Sequence, residues 1–391
     1  MKDSLRVVFF TLCEMVRSLR EYESGLFCKV WCLCFLKRLA MIYPSKFKNV
    51  FIQNLRVGIL IPLVTVFLFS GKAQAQYGGR NSFPFLDLPA GAEALALGGV
   101  GLTGKSAQSF WNNPASLDKD ADNVASFGYA WYPANMGLSR ASYSRDFEKT
   151  GMWAIGIAYL GHGDIDAYDD TGNKTGTFNA SDYVITLGKS HQMGPFRMGL
   201  NLKYAESRID SYKASAILLD IGGRFEHPKK DLAVDLVVTN IGAEVSRFED
   251  QALDLPLDVR LGASFKPEHM PVRFHLAVFG LGSSGEIYSD PDNPNKEEGD
   301  EPSGADKVLT HMSLGGEIIF SPKFVARLGY NGAYQYELQQ EGAGGLSGFS
   351  GGFGLKLKRF RFDYAMGGKH ASGAAHQISL SVNLSKTEIS L

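Results

Sequence analysis

The sequence predicts an all-β fold: a transmembrane antiparallel β-barrel of about fourteen strands, preceded by an N-terminal periplasmic plug segment. Three observations predict it. The first is alternation. Phe196, Met198, Leu200, Leu202 and Tyr204 alternate with Arg197, Gly199, Asn201 and Lys203. Leu257, Val259, Leu261, Ala263 and Phe265 alternate with polar or small residues, and so do Ile378, Leu380, Val382 and Leu384. Successive strand side chains point to opposite faces, so these strands have one apolar and one polar face. The second is length, since these stretches match the 9–11 residues or so that a tilted strand needs to cross a bilayer. The third is that short and long connections take turns along the chain.

The elements follow in order. Residues 1–40 fit neither an export signal nor a barrel, and they contain all four cysteines, Cys13, Cys28, Cys32 and Cys34. They read as an overextended start, with Met41 the natural beginning, or as a segment lost on export. Cys32-x-Cys34 is too sparse for a zinc site of about four ligands. Residues 41–75 read as a signal peptide. Lys46, Lys48 and Arg56 precede an apolar run from Val57 to Ser70, and Ala73-Gln74-Ala75 supplies a small-x-small cleavage site. Cleavage then falls between Ala75 and Gln76. The apolar run is short for a membrane helix of about 20 residues. The mature chain would hold no cysteine and hence no disulfide.

Residues 76–122 do not read as strand. Pro89 to Leu97 is an Ala-rich stretch that predicts a short helix ending at Gly98-Gly99, and Phe110 to Leu117 predicts a turn with one helical turn. A fourteen-stranded barrel is too wide for its own side chains to fill. This apolar segment is therefore expected to plug the lumen from the periplasmic side.

Residues 123–391 form the barrel. The strands are expected at 123–131, 137–146, 151–161, 182–191, 196–208, 213–225, 231–240, 257–266, 272–281, 308–320, 324–332, 349–357, 360–366 and 375–384. Connections after even strands are short: 147–150, 192–195, 226–230, 267–271, 321–323 and 358–359. Several after odd strands are long: 162–181, 241–256, 281–307 and 333–348. Bacterial barrels have short periplasmic turns and longer outer loops. The pattern thus predicts an outer-membrane protein with both barrel ends periplasmic and long loops facing the exterior. Aromatics such as Trp131, Trp153, Tyr159, Phe265, Phe320 and Phe360 stand near strand ends, as interfacial girdles would place them. Inward positions carry both signs in similar numbers, among them Arg197, Lys203, Asp220, Arg224, Asp235, Arg273, Glu317, Arg327, Arg361 and Asp363. That mixture favours ion pairs across neighbouring strands over a selective ion path, which would need a ring of one sign.

Other motifs carry little. Gly99-Val100-Gly101-Leu102-Thr103-Gly104 matches a dinucleotide fingerprint but follows a helix where a strand is required. Gly348-Phe349-Ser350-Gly351-Gly352 matches a nucleophile elbow but opens a β strand. No Ser-His-Asp spacing supports an enzyme, and no pattern calls for a cofactor. The acidic stretch around Asp290, Asp292 and Asn293 lacks the glycine of a calcium loop. Asp164, Asp166, Asp169 and Asp170 read as a solvated outer loop. A net charge of −1 argues against a nucleic-acid surface.

The stretch from Phe85 to Gly99, containing Pro89, Gly98 and Gly99, together with Asn113-Pro114-Ala115, resembles the start of the PorV and PorQ barrels of Bacteroidetes type IX secretion. Asp170-Thr171-Gly172-Asn173 through Phe178, Asp182-Tyr183, Leu202-Lys203-Tyr204 with Tyr212, and Val238 to Gly242 fit the PorQ-like group. The resemblance spans about residues 83–384, while loop 285–307 has no counterpart. It implies a non-enzymatic barrel scaffolding the attachment complex that places cargo on the cell surface. Its implied partners are a PorZ-like surface protein, a sortase-like PorU and a PorV-like barrel, besides outer-membrane lipid. Asp170, Asn173, Phe178, Asp292 and Asn293 are then candidate partner contacts, because long outer loops are where a barrel meets surface partners. The Asn-Pro-Ala element also occurs in FadL-type passive transporters of hydrophobic molecules, the alternative function.

Overall fold

The computed structural model describes residues 82–248, 255–281, 308–337, 347–370 and 373–385. The expected signal segment, the Ala75–Gln76 cleavage site, the cysteines, Asp292 and Asn293 lie outside the described residues. Fourteen antiparallel strands close into a barrel, each paired with its sequence neighbours and the last paired with the first. They are β1 Val124–Trp131, β2 Gly137–Phe147, β3 Gly151–Tyr168, β4 Lys174–Met193, β5 Phe196–Ile209, β6 Tyr212–Glu226 and β7 Asp231–Ser246. The rest are β8 Asp258–Lys266, β9 Val272–Val278, β10 Met312–Ser321, β11 Phe324–Asn331, β12 Phe349–Leu357, β13 Phe360–His370 and β14 Gly373–Asn383. Val124 lies opposite Asn383 where β1 meets β14, so the chain enters and leaves the wall at one end. That end carries the short turns.

The largest departure from expectation is at 162–181. It is mostly strand, not loop: β3 and β4 run on together, with Asp164 opposite Asn179 and Tyr168 opposite Lys174. The β5 and β2 partners stop at Ala180 and Gly161, so this hairpin stands beyond its neighbours. Both of its faces meet water there, and a strand without a buried face has no reason to alternate. β7 likewise continues to Ser246 through a bulge. Leu219 opposes Ile241 while Ile221 opposes Val238, and the extra residue is accommodated at Asn240, whose φ is 60°. A short helix, Gly332–Glu337, stands where a strand end and the opening of a long loop were expected, and β10 begins at Met312 rather than 308.

The wall has an apolar outside. Phe196, Met198, Leu200 and Leu202 on β5 are exposed, whereas Arg197, Gly199, Asn201 and Lys203 between them are buried. Ile155, Ile157 and Tyr159 on β3, Leu261 on β8 and Leu380 on β14 continue the exposed belt. In water such a face would be strongly unfavourable, at roughly 25 cal/mol per Å². A closed barrel has no strand edge to satisfy, which is what a bilayer demands.

Residues 82–122 fill the lumen. Helix α1, Ala92–Ala96, stops at Gly98 and Gly99, both with positive φ, where the Gly99 amide donates to the Ala94 carbonyl at 2.8 Å. Short 3-10 turns follow at Ser109–Trp111, Pro114–Ser116 and Lys119–Ala121. Asn113 caps the second through its side chain, with Pro114 at the first helical position. The plug is not confined to the short-turn end, as expected, but crosses the lumen from end to end. Ser82 donates to Glu244 near the far end of β7, while the Leu117 and Ala121 carbonyls accept from Ser190 and Ser144 near the short-turn end. The segment must reach β1 at that end, and its apolar residues gain burial only by running the whole way.

Candidate functional site: the plugged lumen

Two kinds of wall meet the plug. Over β9 to β13 the wall is charged. Arg327 on β11 reaches Glu317 at 2.9 Å and Asp363 at 2.8 Å, and Arg361 on β13 reaches Asp363 at 2.8 Å. Glu93 of α1 completes this cluster, 3.1 Å from Arg361 and 3.6 Å from Arg327. Across the lumen, Arg224 pairs with Asp235 at 2.7 Å and donates to the plug carbonyl of Leu102 at 3.0 Å. Asn113 donates to the same Asp235 at 2.7 Å. Arg260 bridges Asp258 on its own strand and Asp87 on the plug. Ion pairs across the wall therefore exist as expected, but several close onto the plug.

Over β2 to β6, in the half toward the longer connections, the lumen wall carries an apolar patch beside the buried Lys203–Asp220 pair, 2.7 Å apart. Leu138, Ala158, Leu160, Val184, Ala205, Ala214, Ala216 and Leu218 form one buried cluster. Phe83 and Phe85 of the plug fill it, their rings 6.5 Å apart and edge to face. Tyr132, Met136, Phe248 and Leu255 pack against it from the adjoining connections. The start of β6 is apolar on both faces. On β6 the run Ala214-Ser215-Ala216-Ile217-Leu218-Leu219 sends Ile217 outward and Ala214, Ala216 and Leu218 inward. Loss of alternation is the sequence sign of a strand buried on both sides. An expectation of a charged lumen overlooked this sector.

The plug residues singled out from sequence meet different parts of the wall. The Pro89 carbonyl accepts from Arg140 at 2.5 Å, the Gly98 carbonyl from Asn331 at 2.7 Å, and the Ala115 carbonyl from Arg197 at 3.3 Å. Gly98 is required by its φ of +90° and because a Cβ there would strike Ser313. Gly199 on β5 is required because Pro114 lies against it, leaving no space for a side chain. The loop candidates lie elsewhere. Asp170 and Asn173 are in the exposed turn at the tip of the β3–β4 hairpin, and Phe178 is half-buried on β4 opposite Ile165. Asp169 organises that tip by accepting from the Thr171 hydroxyl at 2.6 Å and from the Asn173 amide at 2.8 Å. These hydrogen bonds hold its carboxyl below the usual carboxylate range. Among the described residues no group of acidic and histidine side chains could hold a metal.

Patterning also did not single out Phe83, Phe85 or Glu93, since a hydrophobic or acidic residue in a plug has no period to mark it. His162 and Asp182, 2.6 Å apart near the apolar sector, were missed because twenty residues separate them. Ser207 lies directly opposite Asp182 in the ladder. On the outer wall an apolar groove of about 460 Å³ runs across β13, β14, β1, β2 and β3, lined by Phe362, Leu380, Phe127, Ala141 and Ile157 among others.

No protein-family model matches the chain, and no curated protein matches it. Solved structures similar to it include the Ralstonia pickettii toluene transporter TbuX, at 10% identity over 76% of this chain and 98% of that one, with a TM-score of 0.46. A deletion mutant of the monoaromatic hydrocarbon channel TodX is 14% identical over 76% of this chain and 99% of that one, with a TM-score of 0.45. A Pseudomonas aeruginosa FadL homologue is 10% identical over 78% and 100%, with a TM-score of 0.42.

Proposed function

We propose that this protein is a non-enzymatic outer-membrane barrel that passes small hydrophobic molecules, with the apolar lumen sector as their receiving chamber. One observation carries this reading: an apolar patch of the lumen wall covered by two phenylalanines of the plug. A solute that replaces Phe83 and Phe85 recovers the apolar contact they give up, so the exchange costs little. The charged wall ties α1 in place, while Phe83 and Phe85 themselves pack by apolar contact between the Ser82–Glu244 and Asp87–Arg260 contacts.

The test is uptake by cells. Deleting the gene should slow uptake of a radiolabelled aromatic hydrocarbon and leave a polar solute of similar size unaffected. The wild-type gene should restore uptake. A chamber-filling Ala216→Phe variant should not, provided heat-modifiable migration on gels shows a folded barrel. Unchanged hydrocarbon uptake would overturn the proposal.

A second reading, scaffolding of type IX attachment with PorZ-like, PorU-like and PorV-like partners, rests on the sequence resemblance. The projecting β3–β4 hairpin, with Asp170 and Asn173 at its tip, is the structural feature that favours it. Loss of surface-held cargo from the deletion strain, with uptake unchanged, would decide for that reading.

A further inference from the structure

The outward face of β4 to β6 holds a charged cluster that neither the lumen nor the plug explains. Along β5 the outward residues are apolar from Phe196 to Leu202 and end at Tyr204. Eight strand steps of about 3.3 Å, tilted by about 40°, make this band roughly 20 Å tall. The next outward residue is Glu206, at the level where lipid headgroups begin. A carboxylate on the lipid side of a barrel is expensive unless satisfied. Glu206 is 1% exposed and saturated by its neighbours. It accepts from the Tyr204 hydroxyl at 2.7 Å and Arg208 Nε at 2.6 Å, with Lys213 Nζ at 3.1 Å. The Arg208 guanidinium also lies 5.7 Å from the centre of the Tyr183 ring.

This arrangement fixes two long cationic side chains side by side. Arg208 and Lys213 are opposite each other in the ladder, and both are about half exposed. Arg208 spends its Nε on Glu206, and its side chain remains 55% exposed. Two positive charges stand against one negative charge, so the cluster keeps a net positive charge. A guanidinium held in place binds a phosphate with two parallel hydrogen bonds, and an adjacent ammonium adds a point charge. The other three cation–π contacts among the described residues, Arg145 with Phe147, Lys189 with Trp153 and Arg359 with Phe360, stand near the opposite rim. None of them pairs two cations on one buried carboxylate.

We propose that Arg208 and Lys213, anchored by Glu206, form a binding site for the headgroup phosphate of a membrane lipid at the long-connection rim. The site requires the membrane placement of the barrel but not the transport reading. The test is native mass spectrometry of the full detergent-purified barrel titrated with dioleoyl phosphatidic acid, with dioleoylglycerol and inorganic phosphate as separate probes. Phosphatidic acid should bind, while its phosphate-free counterpart and free phosphate should bind far more weakly. Arg208→Ala and Lys213→Ala should each weaken binding about fivefold, and the pair about thirtyfold. The double variant should keep heat-modifiable migration, and if it does not fold, the exposed Lys213→Ala change alone decides. Equal binding of dioleoylglycerol, of free phosphate, or by the folded variants would overturn the site. Failure of the membrane placement is read separately, as a barrel that stays in solution without detergent.

Discussion

Leu261 and Ser264 sit three residues apart on β8 and face opposite solvents. Leu261 is 43% exposed on the outer belt, whereas Ser264 is fully buried on the lumen side. An arginine at a lipid-facing midplane position costs about 2–4 kcal/mol. Leu261→Arg should therefore reduce the folded, heat-modifiable fraction of the barrel, and Leu261→Met should not. The lumen face is no refuge for a charge either. The plug's Leu102 and Thr103 crowd Gly262 on that face, so Ser264→Arg should also fail, through lack of space. Glu93 tests the other wall. Removing one partner from a buried ion cluster typically costs about 3–5 kcal/mol. Glu93→Gln should leave the barrel closed but raise hydrogen exchange through α1, and unchanged exchange there would show that the Arg327–Arg361 cluster does not hold the plug.

At the scale of elements, the β3–β4 hairpin is the part most independent of the barrel. Its tip depends on one carboxylate, Asp169, whose pKa is depressed by the hydrogen bonds it accepts from Thr171 and Asn173. A depressed carboxylate adds stability above its unfolded pKa and loses it as pH falls through the folded value. The tip should accordingly tighten above about pH 4 and loosen below it. Protection factors for the Thr171 and Asn173 amides should fall between pH 6 and pH 2.5 while those of central β5 persist. An Asp169→Asn variant should lack this pH step, and a wild-type tip equally protected at both pH values would refute the account. The plug behaves differently as an element. Its helix and turns are too short to stand alone, and they persist because the wall supplies their hydrogen bonds.

At the scale of the whole molecule, an even number of strands brings both barrel ends to one side, and the plug joins β1 there after crossing the lumen. The topology predicts surface labelling. Cysteines introduced at Asn173, in the hairpin tip, should react with a membrane-impermeant reagent on intact cells. Those at Lys229 and Lys323, in short turns, should react only after lysis. The reverse pattern would invert the barrel in its membrane.

The sequence by itself determined the wall. Alternation over stretches such as 196–204 and the short turns at 192–195, 321–323 and 358–359 located all fourteen strands, because a strand with lipid on one side cannot hide its period. It determined the glycine stop of α1, which depends on neighbours in the chain. The tertiary structure alone decided what the lumen contains. Glu93 meets Arg361, and Phe83 joins one buried cluster with Leu218, across more than a hundred residues of chain. Only closure of the barrel brings such pairs together. The hairpin beyond Gly161 was also a tertiary matter, since strands in water on both faces pair through their backbones and leave no pattern in their side chains.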